Sequence, residues 1–183
     1  MDGEKFTERC LKEAGVAMIP GTAFGSFAKQ HVRFNFATYR GGQTVWSTDS
    51  KHIYVPTNLD EDWEAEGPWN QSDIFQISIN SGKMKKLTDI DGPENNPMPS
   101  PDGKYIAYTG HDWSDDTYIE EGIYFMKSDG SKPEKIAEEM GRRPGNLTWS
   151  EDGSGVYYTA SMNGTSNLYF APLSGKPRPV TQG

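Results

Sequence analysis

The chain has 183 residues and a formal net charge of −8, because 26 acidic residues outnumber 18 basic ones. This balance argues against nucleic-acid binding, which requires a basic surface. No stretch approaches the about 18 consecutive apolar residues of a membrane helix, so we expect no membrane association. Residues 1–4 lack the basic and apolar regions of a signal peptide. We therefore expect the chain as given to be cytoplasmic, while a longer parent protein is also compatible with the periplasm.

Residues 1–42 predict a small α+β appendage made of a helix and two strands. Apolar side chains recur on one face of a helix at 4–14, with Gly15 placed to end it, and short apolar runs at 16–19 and 31–37 predict the strands. Cys10, the single cysteine, lies on the apolar helical face. We expect it to be a buried small hydrophobe rather than a reactive thiol.

Part of this appendage resembles a known family. Residues 13–25 read EAGVAMIPGTAFG and residues 32–38 read VRFNFAT. Both closely resemble the C-terminal end of pyridoxal-phosphate aminotransferases, and most of all their cystathionine β-lyase branch. The resemblance implies that Arg33 matches the arginine that binds the substrate carboxylate, a role suited to a bidentate guanidinium.

The resemblance covers only residues 1–42. The Schiff-base lysine, the aspartate for the pyridinium nitrogen and the phosphate-binding loop of that family lie in parts of its fold that these residues do not include. We therefore expect no bound cofactor, a structural or solvated Arg33, and an appendage that is the least ordered part of the chain. A junction near 39–43 is consistent with an assembly artefact, a truncated gene or a genuine fusion.

One pattern occurs three times in residues 43–183. Each copy opens with Trp or Pro, then a serine, and an aspartate two residues after the serine; the copies start at 46, 99 and 149, so the spacing is 53 and then 50 residues. This is the period of a four-stranded propeller blade with loop insertions. The sequence predicts a mainly β fold in which three four-stranded antiparallel blades, at about 43–92, 93–142 and 143–183, form an incomplete β-propeller.

Turn residues separate the four strands of each predicted blade, which we call A to D. An Asp-Gly or Asp-Ser pair lies between strands A and B, and a glycine marks each turn between strands C and D: Gly82, Gly130 and Gly175. Two departures from the pattern predict less regular turns, because Ser50 replaces the A–B glycine of the first copy and Pro99 replaces the opening Trp of the second. We expect Trp46 and Trp149 on inner strands, packed between blades.

These repeats also resemble a known family. The run from Ser100 to Lys104, the Trp-Ser openings, the aromatic C strands and the closing Leu-Thr or Val-Thr resemble the propeller repeats of TolB and of the prolyl-oligopeptidase family, particularly its acylaminoacyl-peptidase-like members. The resemblance implies a non-catalytic propeller that serves as an interaction surface or restricts access to an adjoining peptidase domain. The alternative is a truncated or split enzyme, a serine peptidase or a pyridoxal-phosphate enzyme, that is active only with its missing domains.

Acidic residues concentrate in the B–C loops of the first two copies, which hold ten of the 26. Together with nearby aromatic residues they predict an acidic-aromatic rim for a metal ion, a cationic peptide end or a partner domain. Solvated loop charge is the alternative. The members of the acidic-aromatic rim are Asp60, Asp62, Trp63, Trp69, His111, Asp112, Trp113, Asp115, Glu120 and Glu121. The last two superficially resemble the glutamate pair that binds substrate amino termini in dipeptidyl-peptidase-type relatives.

No catalytic residue is predicted. The chain contains no Gly-x-Ser-x-Gly elbow, and the hydrolase domain of the relatives would follow Gly183. His31, His52 and His111 lack metal-ligand spacing, so we expect no metal. Three blades leave apolar faces and strand edges exposed. The expected partners are therefore a hydrolase domain, the missing blades or a second copy of the chain.

Overall fold

The computed structural model describes residues 2–14, 18–24, 32–34, 43–58, 71–114, 121–137, 144–162 and 164–182. It begins with helix α1 (Gly3–Ala14), in which the Asp2 carboxylate accepts a hydrogen bond from the Glu4 backbone N–H at 2.9 Å. This contact caps the free amides of the first turn. The described helices include none long and apolar enough to cross a membrane.

The predicted strands of the appendage form a two-stranded antiparallel sheet. Strand β1 (Met18–Pro20) pairs with β2 (Val32–Phe34), and a 3-10 turn at Gly21–Phe24 follows β1. The remaining residues of the two predicted runs, 16–17, 31 and 35–37, lie outside the described residues. Strand β1 extends one residue beyond the first run, to Pro20. The helix and both strands are thus present, and the two strands form a sheet separate from those of the repeats.

The three repeats form three four-stranded antiparallel sheets, each paired in chain order. The first blade contains β3 (Val45–Trp46), β4 (His52–Thr57), β5 (Asp73–Ser78) and β6 (Met84–Lys86). The second contains β7 (Glu94–Pro99), β8 (Tyr105–Gly110), β9 (Gly122–Lys127) and β10 (Glu134–Ala137). The third contains β11 (Gly145–Trp149), β12 (Gly155–Met162), β13 (Thr165–Pro172) and β14 (Arg178–Pro179). The predicted fold class is confirmed.

The A–B turns share one hydrogen-bond pattern. In each, the serine hydroxyl donates to the aspartate carboxylate at 2.7 Å: Ser47 to Asp49, Ser100 to Asp102 and Ser150 to Asp152. The same carboxylate accepts a backbone N–H two residues later, at 3.1, 3.1 and 3.0 Å. The serine hydroxyl lowers the pKa of Asp102 and of Asp152 to about 2. The carboxylate therefore stays ionised and keeps accepting both bonds over most of the pH range.

The expectation of irregular turns at the two departures is wrong. Ser50 takes a φ of 57°, next to 70° for Gly103 and 69° for Gly153, so its turn closes in the same left-handed conformation. Pro99 ends β7 opposite Ile106. Because β7 is an edge strand of its sheet, it tolerates the missing N–H of a proline. The serine and aspartate side chains hold the turn, whereas the residue at the positive φ only tolerates it.

Apolar cores join consecutive blades. Tyr54 and Ile74 of the first blade pack against Ile106, Tyr108 and Met126 of the second. Between the second and third blades, Trp149 stacks on Phe125 with ring centroids 5.3 Å apart, and its indole Nε1 donates to the Met98 carbonyl at 2.8 Å. The expected inter-blade packing of Trp149 is confirmed.

Trp46 differs from the expectation. It lies on inner strand β3, but its side chain is 51 % exposed. In the part of the chain that the structure describes, no blade stands on that side of β3. Burial of the Trp46 side chain requires an adjacent blade, and the sequence pattern of the repeat does not specify which blades are adjacent.

Helix α1 packs on the first blade. Phe6 and Cys10 are 5 % and 0 % exposed, and they join the cluster of Ile53, Val55 and Ile77. The buried state expected for Cys10 is confirmed. The apolar face of α1 is therefore covered by a face of the first blade.

Candidate functional site

The inner strands of the three blades line one cavity of about 350 Å³. We call it the inner-wall cavity; its lining comes from Gln43 and Val45, from Asn96, Pro97 and Met98 of β7, and from Pro144, Gly145, Asn146 and Leu147 near or on β11. Its size falls within the usual range of small-ligand sites. Because the A strands of successive blades meet here, each blade contributes one segment of the wall.

Two bulges shape the inner-wall cavity. The register of β7 against β8 shifts between Asn95 and Met98, and that of β11 against β12 shifts between Gly145 and Thr148. Asn96 and Asn146, fifty residues apart, adopt positive φ angles of 54° and 51° within these bulges. Asparagine tolerates this left-handed conformation better than most residues.

A threonine on the neighbouring strand holds each bulge. Asn96 Nδ2 donates to Thr109 Oγ1 at 3.1 Å, and Asn146 Nδ2 donates to Thr159 Oγ1 at 3.3 Å. The threonine hydroxyls in turn donate to the carbonyls of the bulged strands, at 3.4 Å in the second blade and 3.1 Å in the third. Asn96 and Asn146 are exposed, so their amide oxygens stay available as acceptors.

Gln43 occupies the matching position of the first blade, since it precedes Asn96 by the same 53 residues that separate the first two repeats. The sequence analysis missed this set of amides. The available signal was the recurrence of an asparagine and a threonine thirteen residues apart, at 96 and 109 and again at 146 and 159. A polar pair repeated at the blade period indicates a structural unit more strongly than either residue alone.

The B–C loop of the second blade begins at His111, directly after β8; we call the side of the blades that carries the B–C loops the loop face. Gln71 bridges the chain there: its Nε2 donates to the Ile90 carbonyl at 3.0 Å, and its Oε1 accepts from the Gly92 N–H at 2.6 Å. Gly92 has a φ of 141°, and a Cβ on it would lie 2.1 Å from the His111 carbonyl oxygen. Only glycine permits this close approach, which fixes the start of the second B–C loop.

Four members of the acidic-aromatic rim lie within the described residues. Asp112 is exposed and Trp113 is 42 % exposed, whereas His111 and Glu121 are buried at 7 % and 9 %. Glu121 directly precedes β9, as the sequence indicated. The described residues contain no group of three or more His, Cys, Asp or Glu side chains that could hold a metal ion.

The other members lie outside the described residues: Asp60, Asp62, Trp63, Trp69, Asp115 and Glu120. Arg33 lies on β2, where it stands opposite Ile19. The binding roles of the acidic-aromatic rim and of Arg33 therefore stay predictions.

A buried carboxyl group that the sequence analysis missed lies between the first two blades. Glu94, at the start of β7, has no exposed surface. Burial is the main cause that raises the pKa of Glu94 to about 8, and nearby Asp73 adds to the rise. The Thr88 hydroxyl, the Ile90 backbone and Lys86 act in the opposite direction. Glu94 is thus protonated at neutral pH.

Charged and phenolic groups surround Glu94. Lys86 Nζ lies 3.0 Å from the buried carboxylate of Asp73 and 3.1 Å from that of exposed Asp89. Burial raises the pKa of Tyr108, and the proximity of Glu94 raises it further. Glu94 is not among the residues that line the inner-wall cavity.

Comparison with known proteins places the fold among β-propellers. The TolB structure from Acinetobacter baumannii matches with a TM-score of 0.59 at 18 % identity, over 82 % of this chain and 34 % of that chain. An oligogalacturonate lyase from Vibrio parahaemolyticus gives 0.60 at 17 % identity, over 82 % and 44 %. The β-propeller domain of the Trilobed protease from Pyrococcus furiosus gives 0.54 at 20 % identity, over 85 % and 47 %. At such identities the likeness shows the fold alone.

The relatives that are similar in sequence include dipeptidyl-peptidases, of which this chain spans only a small part. A probable dipeptidyl-peptidase 5 from Arthroderma benhamiae is 32 % identical over 91 residues, which are 48 % of this chain and 12 % of that relative. No family model matches the chain. The predicted similarity to TolB-like and peptidase propellers is confirmed, whereas these comparisons give no support to the aminotransferase resemblance of residues 1–42.

Proposed function

We propose that this chain is a non-catalytic propeller segment that restricts or guides peptide access to a serine peptidase of the dipeptidyl-peptidase type. The similarity to a dipeptidyl-peptidase supports the class of enzyme. The observation that carries the role is the inner-wall cavity, which is lined by amides repeated from blade to blade. Any role of Arg33 as a carboxylate ligand is a separate prediction.

The chemistry of the cavity suits a peptide backbone. Side-chain amides offer both donors and acceptors, as a peptide bond does, and they carry no charge that would select particular side chains. In the B–C loop that follows β8, exposed Asp112 and Trp113 present a negative and an aromatic group. These two groups attract a cationic amino terminus through charge and cation–π contact.

A turnover assay tests the non-catalytic status. Incubated with chromogenic dipeptidyl and acyl-aminoacyl substrates, the purified chain should release no product, and a fluorophosphonate probe should label no serine. Nucleophile activation requires a positioned base and an oxyanion site, and the sequence contains no nucleophile elbow that would carry them. Turnover that the same fluorophosphonate abolishes would show instead a split or truncated peptidase.

Peptide binding tests the access role. A short peptide with a free amino terminus should bind the chain more tightly than its N-acetyl counterpart, because acetylation removes the charge. Asp112→Asn should weaken binding of the free peptide by about threefold, the scale of an exposed ion pair, and Asn146→Gly should weaken both peptides while keeping the positive φ. Glu151→Gln, an exposed change at the A–B turn of the third blade, is the control. Equal binding of both peptides to all variants would contradict the role.

A further inference from the structure

The interface between the second and third blades defines how blades recognise each other in this chain. Trp149 of β11 covers the Phe125 ring and donates its indole N–H to the Met98 carbonyl. Behind Trp149, Val156 and Tyr158 of β12 are 0 % and 1 % exposed in the same core. A blade therefore docks through a tryptophan and the adjacent strand onto an aromatic ring and a carbonyl of the preceding blade.

The first blade presents the same docking elements. Trp46 stands opposite Ile53 as Trp149 stands opposite Val156, and each tryptophan precedes the serine of an A–B turn. Trp46 is half exposed, whereas Ile53 and Val55 are each 1 % exposed because helix α1 covers them through Phe6 and Cys10. Helix α1 thus packs on the part of the first blade that a preceding blade would cover, but it leaves the Trp46 side chain exposed.

The third blade presents the complementary surface. In the second blade, Phe125 and Met98 both stand opposite Ala107 on the strand between them. In the third blade, Phe170 and Thr148 both stand opposite Tyr157, so they occupy the equivalent positions. Phe170 is 8 % exposed, since its ring contacts Tyr157 at 4.9 Å between ring centroids and Arg178 lies 5.4 Å above it. An arginine of an exposed edge strand therefore lies where a following blade would bring its tryptophan.

The two ends of the chain are consequently complementary, and they continue the established interface. Because the contact is heterologous, it either closes into a ring or grows into a filament. The described residues of each chain form three blades, so those of two chains form six, within the about four to eight that close a propeller. Closure by two identical contacts covers the outward faces of both the first and the third blades, which favours the ring.

We propose that a second copy of this chain docks its third blade on the first blade of its partner, with Trp46 over Phe170 and the Trp46 indole N–H donating to the Thr148 carbonyl. Helix α1 is then a displaceable cap that competes with this blade for Ile53 and Val55. The proposal does not depend on peptide binding or on the peptidase class, since association is measured without either.

The test uses the full chain over a range of concentrations, with mass measured by light scattering and exposure of Cys10 by its rate of thiol labelling. The mass should double as concentration rises, and labelling of Cys10 should accelerate in parallel because α1 leaves its site. Trp46→Ala should abolish both changes. Trp113→Ala, which removes another exposed tryptophan on the loop face, should behave as the wild type.

A mixing experiment separates this contact from others. Trp46→Ala and Phe170→Ala should each stay monomeric, but their mixture should form a dimer, because one intact contact remains between them; circular dichroism establishes that both fold. Three results would overturn the proposal: association of Trp46→Ala like the wild type, doubling of mass without exposure of Cys10, or a wild-type chain that stays monomeric throughout. If Phe170→Ala does not fold, the Trp46→Ala and Trp113→Ala pair decides alone.

Discussion

At the scale of single residues, Ser50 shows how a turn survives a substitution that its sequence pattern disfavours. A left-handed conformation costs a non-glycine residue about 1 to 2 kcal/mol, partly offset because glycine loses more backbone freedom on folding. Ser50→Gly should therefore raise the free energy of unfolding by about 0.5 kcal/mol. The reverse changes Gly103→Ser and Gly153→Ser should lower it by a similar amount. Urea denaturation measures both, and a stabilising Gly103→Ser would refute the interpretation.

Glu94 makes the stability of the chain depend on pH. Its pKa of about 8 in the folded state exceeds the ordinary 4.5, so the folded state holds the proton more tightly. Stability from this group is complete below pH 4.5 and is lost as the pH rises toward 8, on the order of 5 kcal/mol in total. Glu94→Gln, which stays neutral, should unfold at higher urea concentration than the wild type at pH 9 and lack this dependence.

The matched control is Glu151→Gln, because Glu151 is exposed at the third A–B turn. Its unfolding curve should follow that of the wild type from pH 5 to pH 9. If Glu94→Gln showed the same loss of stability with rising pH as the wild type, the buried carboxyl would not be its source.

At the scale of elements, Trp46 of β3 and Trp149 of β11 occupy equivalent positions, but only Trp149 packs against another blade. Comparing their substitutions by alanine therefore measures how much blade packing contributes to the free energy of unfolding. Trp149→Ala removes a ring stack and an indole hydrogen bond, and should destabilise the chain by about 3 kcal/mol. Trp46→Ala removes a half-exposed ring and should cost about 0.5 kcal/mol in the monomer. Thermal unfolding at low protein concentration measures both, and equal losses would show that the third blade does not pack on the second.

The strands and turns were more predictable from the sequence than the contacts between them. The period-two apolar strands and the Ser-x-Asp turns are local patterns, so the strands of all three blades follow from them. The covering of Ile53 by α1 and the burial of Glu94 depend on contacts between distant segments, which no local pattern specifies. Ser50 was misjudged because the turn is held by the Ser47 and Asp49 side chains, not by the residue at the positive φ.

At the scale of the whole molecule, the described residues form three consecutive blades, with helix α1 packed on the first blade and the inner-wall cavity on their inner side. The candidate site was only partly predictable. The acidic loops were visible as charge, but the amides of Asn96 and Asn146 face one cavity only because the blades are arranged around a common inner side. That arrangement is a property of the assembled repeats.

Exchange of the indole N–H of Trp149, followed by nuclear magnetic resonance, tests most directly whether the repeats are packed as propeller blades. This proton is donated to the Met98 carbonyl across the interface between the second and third blades, whereas Trp113 is an exposed reference on the loop face. Assignment by Trp149→Phe and Trp113→Phe identifies the two signals. We predict that the Trp149 proton exchanges far more slowly than the Trp113 proton. Equally fast exchange of the two protons would contradict the packing of the blades on which the proposed function depends.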